Sequence, residues 1–371
     1  MMSKSYWHYP RTGFLDTVFQ MMTSGPAQAL SLFGPRRIGK TQFLLYDLAP
    51  RAEMHHHKVS YASFWQTTAS PLAVLLYELE QALYSGPGVN RLWRGARGLA
   101  PKLRLRSPDG RGEIEIDLAN LGREVPADHL LLMDQYCDRL ANANHPTFLL
   151  FDEFQEVAKA PNAEPLIAAL RTSLDKRKDG LSVLFTGSSR QGLSHVFSTR
   201  DAPFYRFATP IELPALGLDF VLHQLAAYAA TYRRELDPDQ AYIYFDAFGQ
   251  NPMLFQRWLN AVPLAASAQE ARDRVEQDLE EEFSFAETWL SLTDNQRLVL
   301  RMVAENVGQM FGADGRDFAR RLRGDPLSSS AIQAALRKLS ALNLVDKWDD
   351  EWHLGDPMFE VWIGRRPDTD F

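Results

Sequence analysis

The sequence contains a single cysteine, Cys137, among 371 residues. One thiol allows no disulfide within the chain and no cysteine-based zinc site, so a reducing compartment is expected. Cys137 lies in a stretch with helical spacing, close to apolar residues and without a nearby histidine pattern. We therefore expect a buried structural thiol and not a nucleophile.

Long hydrophobic runs are also missing. The stretches "HLLLM" and "TFLLF" are far too short to cross a bilayer, and "MMSKSYWHYPRTG" at the start has no apolar core of a signal peptide. These absences predict a soluble cytoplasmic protein without a membrane partner.

The chain has no surplus of positive charge. It carries 40 Lys and Arg against 47 Asp and Glu, a net charge of −7, with a pI near 5.8. This balance disfavours a dedicated nucleic-acid binder, although a local basic face stays open. Hydrophobic residues make up 45% and charged residues 23%, as in ordinary globular proteins, and the length predicts two or three domains.

Residues 34–41, "GPRRIGKT", match the phosphate-binding pattern G-x-x-x-x-G-K-[ST]. The apolar run "QALSLF" precedes them, and "TQFLLYDLA" follows with helical spacing, which is the strand–loop–helix context that this motif needs. The two glycines let the backbone wrap a phosphate, the lysine supplies charge to its oxygens, and the threonine supplies a hydroxyl to Mg²⁺. We predict that ATP is bound by Gly34, Pro35, Arg36, Arg37, Ile38, Gly39, Lys40, Thr41 and Gln42, with Lys40 also acting in catalysis.

A second element, "FLLFDEF", is an apolar strand that ends in Asp152 and Glu153. A phosphate loop needs such a strand, because a carboxylate must help to hold the metal and another must polarise the attacking water. Asp152 fits the metal role together with Thr41, and Glu153 fits the water-polarising, catalytic role.

A further apolar strand runs into "VLFTGSSR". Ligands of open α/β sheets bind at the carboxyl ends of the strands, so Thr186, Ser188, Ser189 and Arg190 are expected near the γ-phosphate. Ser189 could sense that phosphate and Arg190 could offset its charge. The alternative is that Arg190 only begins the next helix.

Strands alternate with helices up to about residue 216, which predicts a P-loop NTPase sheet, parallel and covered by helices on both faces. Helices alone follow, and a helix–helix–helix pattern with two short strands ends the chain. The fold class is therefore α/β, followed by an all-α lid and a C-terminal winged helix domain. The predicted domains are 1–216 with a basic insertion at about 90–123, 217–290 and 291–371.

Two regions leave alternatives open. The insertion is arginine-rich and contains Trp93, so it could grip nucleic acid, or it could be a solvated hairpin or a protein-docking surface. The winged helix has 11 basic and 13 acidic residues from Ser291 to Phe371, and its wing turn is acidic from Asp349 to Glu351. A role in protein contact or lid packing is expected there in preference to base recognition.

With these motifs in place, the chain resembles the archaeal-type branch of the STAND-class P-loop ATPases, signalling ATPases related to AAA+ proteins and NB-ARC switches. The similarity rests on "FGPRRIGKT", "LLFDEFQE", "LFTGSSR", "PFYRFATPIELPALG", "FGQNPMLFQ" and "WHLGDPMFEVWI". The resemblance implies that Pro252 in the lid contacts the adenine or ribose. It also assigns Arg206 to an arginine element, which here lacks its glycine, and Arg190 to the arginine that contacts the γ-phosphate.

The resulting hypothesis is a Mg²⁺-dependent ATPase that acts as a molecular switch through a protein partner or through self-association. One alternative is a DNA-associated ATPase that uses the insertion and the winged helix, which the charge does not favour. Another is a defence or assembly ATPase that recruits a protein partner.

Overall fold

A computed structural model describes residues 4–26, 29–65, 70–84, 102–106, 113–117, 127–160, 163–187, 204–348 and 351–368. The strands are β1 (Ala29–Phe33), β2 (Lys58–Ser63), β3 (Lys102–Arg106), β4 (Glu113–Asp117), β5 (Thr147–Asp152), β6 (Leu181–Thr186), β7 (Thr209–Glu212), β8 (Val345–Trp348) and β9 (Glu351–Leu354).

The helices begin with a 3-10 turn (Lys4–Trp7) and α1 (Thr12–Thr23). Helix α2 spans residues 40–54 in three consecutive segments, of which the middle one, Phe43–Leu48, is π-helical. The others are α3 (Pro71–Tyr84), α4 (Ala127–Ala141), α5 (Gln155–Lys159), α6 (Ala163–Asp175), α7 (Leu218–Tyr232), α8 (Pro238–Ala247), α9 (Pro252–Ala261), a 3-10 turn (Val262–Leu264), α10 (Ala268–Phe283), α11 (Phe285–Ser291), α12 (Asp294–Ala304), α13 (Ala313–Arg323), α14 (Ser329–Ala341) and α15 (Pro357–Gly364).

Five parallel strands form one sheet in the order β2-β5-β6-β1-β7. Strands β1 and β5 are buried along their whole length, because a parallel sheet covered on both faces needs nearly continuous apolar strands. All five strands run in one direction, so their carboxyl ends meet at one edge. That edge receives the phosphate loop after β1, the two acids after β5 and Thr186 at the end of β6.

Helices cover both faces of the sheet. On one face, α3, α4 and α6 bury apolar residues such as Leu76, Tyr136 and Leu170 against it. On the other, α1 and α2 contribute Val18 and Leu44, each fully buried. The predicted P-loop NTPase arrangement is confirmed.

The predicted basic insertion contains a two-stranded antiparallel hairpin, β3–β4. Its register places Lys102 opposite Asp117, Arg104 opposite Glu115 and Arg106 opposite Glu113. The backbone register thus places each basic residue of β3 opposite an acidic residue of β4. The remainder of the insertion, including Trp93, lies outside the described residues.

The chain separates into two compact units. The α/β unit comprises Pro10–Gly34 and Gly39–Pro214, and the C-terminal unit comprises Met1–Tyr9, Pro35–Ile38 and Ala215–Phe371. In the C-terminal unit, α12, α13 and α14 are followed by the antiparallel pair β8–β9, the order of a winged helix. The division into three domains stays a prediction.

Within the parts of the chain that the structure describes, no helix is both long enough and apolar enough to cross a membrane.

Candidate nucleotide-binding site

The phosphate loop joins β1 to α2 through backbone conformations that side chains rarely adopt. Gly39 has φ +101°, where a Cβ would strain the chain, and Arg37 is also left-handed at φ +66°. Left-handed residues at a tight turn are typical of loops whose amides wrap an anion. The helix that starts at Lys40 then adds the positive end of its dipole.

Lys40 is 5% exposed, and its Nζ donates to the carbonyl oxygen of Gly34 at 2.7 Å. The ammonium group therefore lies folded back across the first glycine of the loop. A lysine folded across the first glycine in this way lies close to the position where the loop amides would hold a phosphate.

The tip of the loop, Pro35–Ile38, belongs to the C-terminal unit. Within that unit the Arg37 guanidinium lies 3.5 Å from the Asp356 carboxylate and also contacts the Met358 sulfur. Pro35, Arg36 and Ile38 are half-buried, and Gln42 on α2 is exposed.

The predicted metal pair is brought together. The Thr41 hydroxyl donates to Oδ2 of Asp152 at 2.8 Å, across 111 residues of sequence. Asp152 ends β5, is 2% exposed and accepts two further hydroxyl bonds, from Tyr61 to Oδ2 at 2.9 Å and from Thr186 to Oδ1. Three hydroxyl donors from three elements therefore surround one buried carboxylate.

The titration of this cluster follows from its burial. Burial raises the pKa of Asp152, while the hydrogen bonds from Thr186 and Thr41 oppose that rise. Burial and the neighbouring Asp152 charge raise the pKa of the Tyr61 phenol, so Tyr61 keeps its proton and remains a donor.

Glu153, the carboxylate that is predicted to polarise the attacking water, has φ +54° and a half-buried side chain. Its backbone N donates to the Thr186 hydroxyl at 3.2 Å, and its Oε2 accepts from Nε2 of Gln155. A left-handed backbone in a non-glycine residue is uncommon and concentrates at functional sites. Thr186 thus contacts both acids, because its hydroxyl accepts from Glu153 and donates to Asp152.

The other predicted residues are placed as follows. Arg206 is exposed at φ +54°, with its guanidinium 5.2 Å from the centre of the Tyr205 ring. Pro252 is the first residue of α9 in the C-terminal unit. Ser189 and Arg190, with Ser188, lie outside the described residues, so their roles stay predictions.

The expectation that Cys137 is a buried structural thiol agrees with its position in the structure. Cys137 is fully buried, and burial raises its pKa to about 12, so the thiol is not a nucleophile. Among the described residues, no group of three or more His, Cys, Asp and Glu side chains could hold a metal ion. The run from His55 to His57 is therefore not such a group.

Sequence reasoning missed Tyr61 and Gln155. Tyr61 is one aromatic residue in an alternating strand, and only the pairing of β2 with β5 brings it to Asp152. Gln155 lies two residues after Glu153, and this closeness in the sequence was the one indication that their side chains could meet.

The parallel sheet, the phosphate loop and the acidic end of β5 together define the class of the fold, which is that of a P-loop NTPase. Neither a protein-family model nor a curated protein matches the sequence. Among solved structures, the chain is similar to a Walker-type ATPase of Pyrococcus abyssi, with a TM-score of 0.64 and 14% identity over 94% of each chain. It is also similar to the Aeropyrum pernix ORC2 protein in its ADPNP–ADP complexes, with a TM-score of 0.56, 17% identity, and 97% of this chain and 96% of that chain covered. At these identities the similarity establishes the fold.

Proposed function

We propose that the protein is a Mg²⁺-dependent ATPase. The observation that carries the proposal is the 2.8 Å contact between Thr41 and Asp152, which joins the phosphate loop to the acidic strand end. The solved structures lend support, since one is named a Walker-type ATPase and the other holds ADPNP and ADP.

The residues present fit a magnesium ion. Mg²⁺ prefers hard oxygen ligands and usually keeps several waters, so it needs few protein groups when phosphates are bound. The Thr41 hydroxyl and the Asp152 carboxylate are such oxygens, and they lie together at the carboxyl edge of the sheet. When bound, the ion would neutralise charge on the phosphate oxygens.

The chain's own groups would then bind the phosphates, orient the attacking water and offset charge on the γ-phosphate. The amides of residues 34–41 and the start of α2 bind phosphate oxygens, and Lys40 adds a positive charge to them. Glu153 accepts a hydrogen bond from water and orients it, while Gln155 holds the other side of that carboxylate. Arg190 would offset charge on the γ-phosphate.

The variant Lys40→Ala tests this proposal. We expect nucleotide binding to weaken by at least about a hundredfold and ATP hydrolysis to be lost, because a buried charge facing the phosphates is removed. Titration with a fluorescent ATP analogue and phosphate release measure the two effects. Lys159→Ala is the matched control, since Lys159 is an exposed lysine of the same unit, paired with Glu156. Unchanged hydrolysis by Lys40→Ala would reject the proposal.

We further propose that ATP binding and hydrolysis operate a switch of the STAND type, which acts through a protein partner or self-association. The support is the winged-helix order of the C-terminal unit, combined with its acidic composition. Mass in solution should differ between the ATP-loaded Glu153→Gln variant and the ADP-loaded parent. If it does not, retention of a protein partner with ATP but not ADP would still support a switch and would fit a defence or assembly ATPase. No difference in either measurement rejects the switch.

A DNA-associated ATPase is the second candidate, and one observation weighs against it. The basic strand of the insertion pairs with a strand that carries as many acidic residues, so the two strands together have no net positive charge to offer to phosphates. This candidate predicts salt-sensitive DNA binding that weakens when Arg104 and Arg106 are neutralised. Absence of DNA binding at low salt would remove it.

A further inference from the structure

The hydroxyl of Tyr61 shares one carboxylate oxygen with the hydroxyl of Thr41. Tyr61 Oη lies 2.9 Å from Oδ2 of Asp152, and Thr41 Oγ1 lies 2.8 Å from the same atom. A neutral phenol that faces a carboxylate can only donate to it, so this bond fixes the direction in which Oδ2 points.

The strand order explains how Tyr61 reaches this position. Strand β5 lies between β2 and β6, and Asp152 is its last residue. Tyr61 on β2 pairs with Leu150, two residues before Asp152, and it is 8% exposed. On the other side, Thr186 at the end of β6 donates to Oδ1. The carboxylate is therefore held from both neighbouring strands, one oxygen by each, and Thr41 contacts it from the phosphate loop.

We propose that Tyr61 is a positioning residue for the metal–nucleotide complex. By holding Oδ2 of Asp152 towards Thr41, it keeps the two magnesium-binding oxygens in place before the ion arrives. The Thr41 hydroxyl can then donate its proton to Asp152 and still offer a lone pair to the ion. This inference rests on the proposed function, because it assumes that Asp152 and Thr41 bind Mg²⁺.

The test uses Tyr61→Phe, which removes the hydroxyl and keeps the ring that packs in β2. The dissociation constant of a fluorescent ADP analogue is measured with excess MgCl₂ and again with EDTA. We expect binding to weaken by about tenfold with Mg²⁺, the size of one hydrogen bond to a charged group, and to be unchanged in EDTA. Tyr136→Phe is the control, since it removes the hydroxyl of another buried tyrosine of the same unit. It should leave both constants unchanged.

A merely structural tyrosine gives a different result. Tyr61→Phe would then lower the melting temperature, or weaken binding equally with Mg²⁺ and EDTA, and either result without a Mg²⁺-specific loss overturns the inference. A Mg²⁺-specific loss in Tyr136→Phe of the same size overturns it as well.

A double-mutant cycle with Asp152→Asn is a second test of the inference. If Tyr61 acts through Asp152, adding Tyr61→Phe to Asp152→Asn should cause no further Mg²⁺-dependent loss. Additive losses overturn the inference. If the parent protein binds nucleotide without any Mg²⁺ effect, the metal assignment in the proposed function fails too, whereas a Mg²⁺ effect that Tyr61→Phe preserves overturns the inference alone.

Discussion

The α/β unit and the C-terminal unit bury different kinds of side chain. Of the fifteen polar or charged residues that are buried in the described parts of the chain, twelve belong to the α/β unit. They include Lys40, Asp152 and Thr186 at the nucleotide site. In the C-terminal unit only Gln224, Asn251 and Arg301 are buried among the residues described.

The C-terminal unit has an aromatic and aliphatic core with few buried polar residues among those described. Trp258 and Trp289 are buried almost completely, and Phe285 stacks on Phe359 with ring centres 5.0 Å apart. Buried polar groups cost free energy unless they are satisfied, so evolution keeps them where chemistry or architecture requires them. The contrast is in line with the proposed nucleotide site in the α/β unit, and it gives the C-terminal unit a core in which packing dominates.

The largest expected effect is on turnover, at Glu153. The variant Glu153→Gln should hydrolyse ATP about 10²–10³-fold more slowly, because an amide is a poor acceptor for the proton of the attacking water. Nucleotide affinity should change by less than about threefold, since the carboxylate is assigned to water and not to phosphate. Single-turnover hydrolysis and nucleotide titration separate the two effects.

The matched control is Glu164→Gln, an exposed acid on α6 of the same unit. It should hydrolyse ATP at the parent rate. Normal turnover in Glu153→Gln would mean that the buried polar cluster of the α/β unit serves another purpose.

The next largest effect should come from Arg301, the buried charge of the C-terminal unit. It is 3% exposed, and it donates to the carbonyl oxygens of Pro367 and Arg366 and to Asp368. Replacing it by Met leaves those acceptors with fewer partners and should destabilise this unit by about 2–4 kcal/mol. Denaturant unfolding measures the change. Arg320→Met, at an exposed arginine paired with Asp317, should cost less than about 0.5 kcal/mol.

Equal losses in the two arginine variants would contradict the idea that Arg301 is a structural charge of an otherwise apolar core.

A smaller effect is expected at Asn251, which precedes Pro252. Its side-chain oxygen accepts from the backbone N of Met253 and Leu254 and so caps α9. Asn251→Ala should destabilise the C-terminal unit by about 1 kcal/mol, and Asn251→Asp should retain most of the stability because it keeps the accepting oxygen. If both variants lose the same amount, the capping role is wrong.

The sheet and the contact between Thr41 and Asp152 could be predicted from the sequence because their signals are local. Residues 34–41 follow an apolar strand, and Asp152 and Glu153 end another, so each half of the site is complete in a few residues. Since parallel strands share one carboxyl edge, the two halves had to meet. The strand pair β8–β9 was also predictable, from two short strand-like stretches close together in the sequence.

The rest of the site depends on strand order, which no local pattern contains. Tyr61 reaches Asp152 only because β2 lies next to β5. Thr186 was expected near the γ-phosphate, which stays a prediction, and the hydrogen bond from its hydroxyl to Asp152 was not anticipated. The pairing of Arg104 with Glu115 likewise follows from the hairpin register, which the count of arginines did not anticipate.

The smallest expected effect concerns Glu78, a half-buried acidic residue of the α/β unit that lies away from the candidate site. Burial raises the pKa of Glu78 on α3 to about 8, whereas a carboxyl in the unfolded chain titrates near 4.5. Between these values the folded protein holds a proton that the unfolded chain releases, so stability should fall as pH rises from about 5 to 8. Because the side chain is only half-buried, this contribution should amount to about 0.5–1 kcal/mol.

Glu78→Gln removes the ionisable group, so its stability relative to the parent should grow by that amount over the same interval. Denaturant unfolding at pH 5 and pH 8, with Glu164→Gln as the exposed control, measures the difference. A constant gap between Glu78→Gln and the parent would show that burial does not raise the pKa of Glu78 in the folded protein.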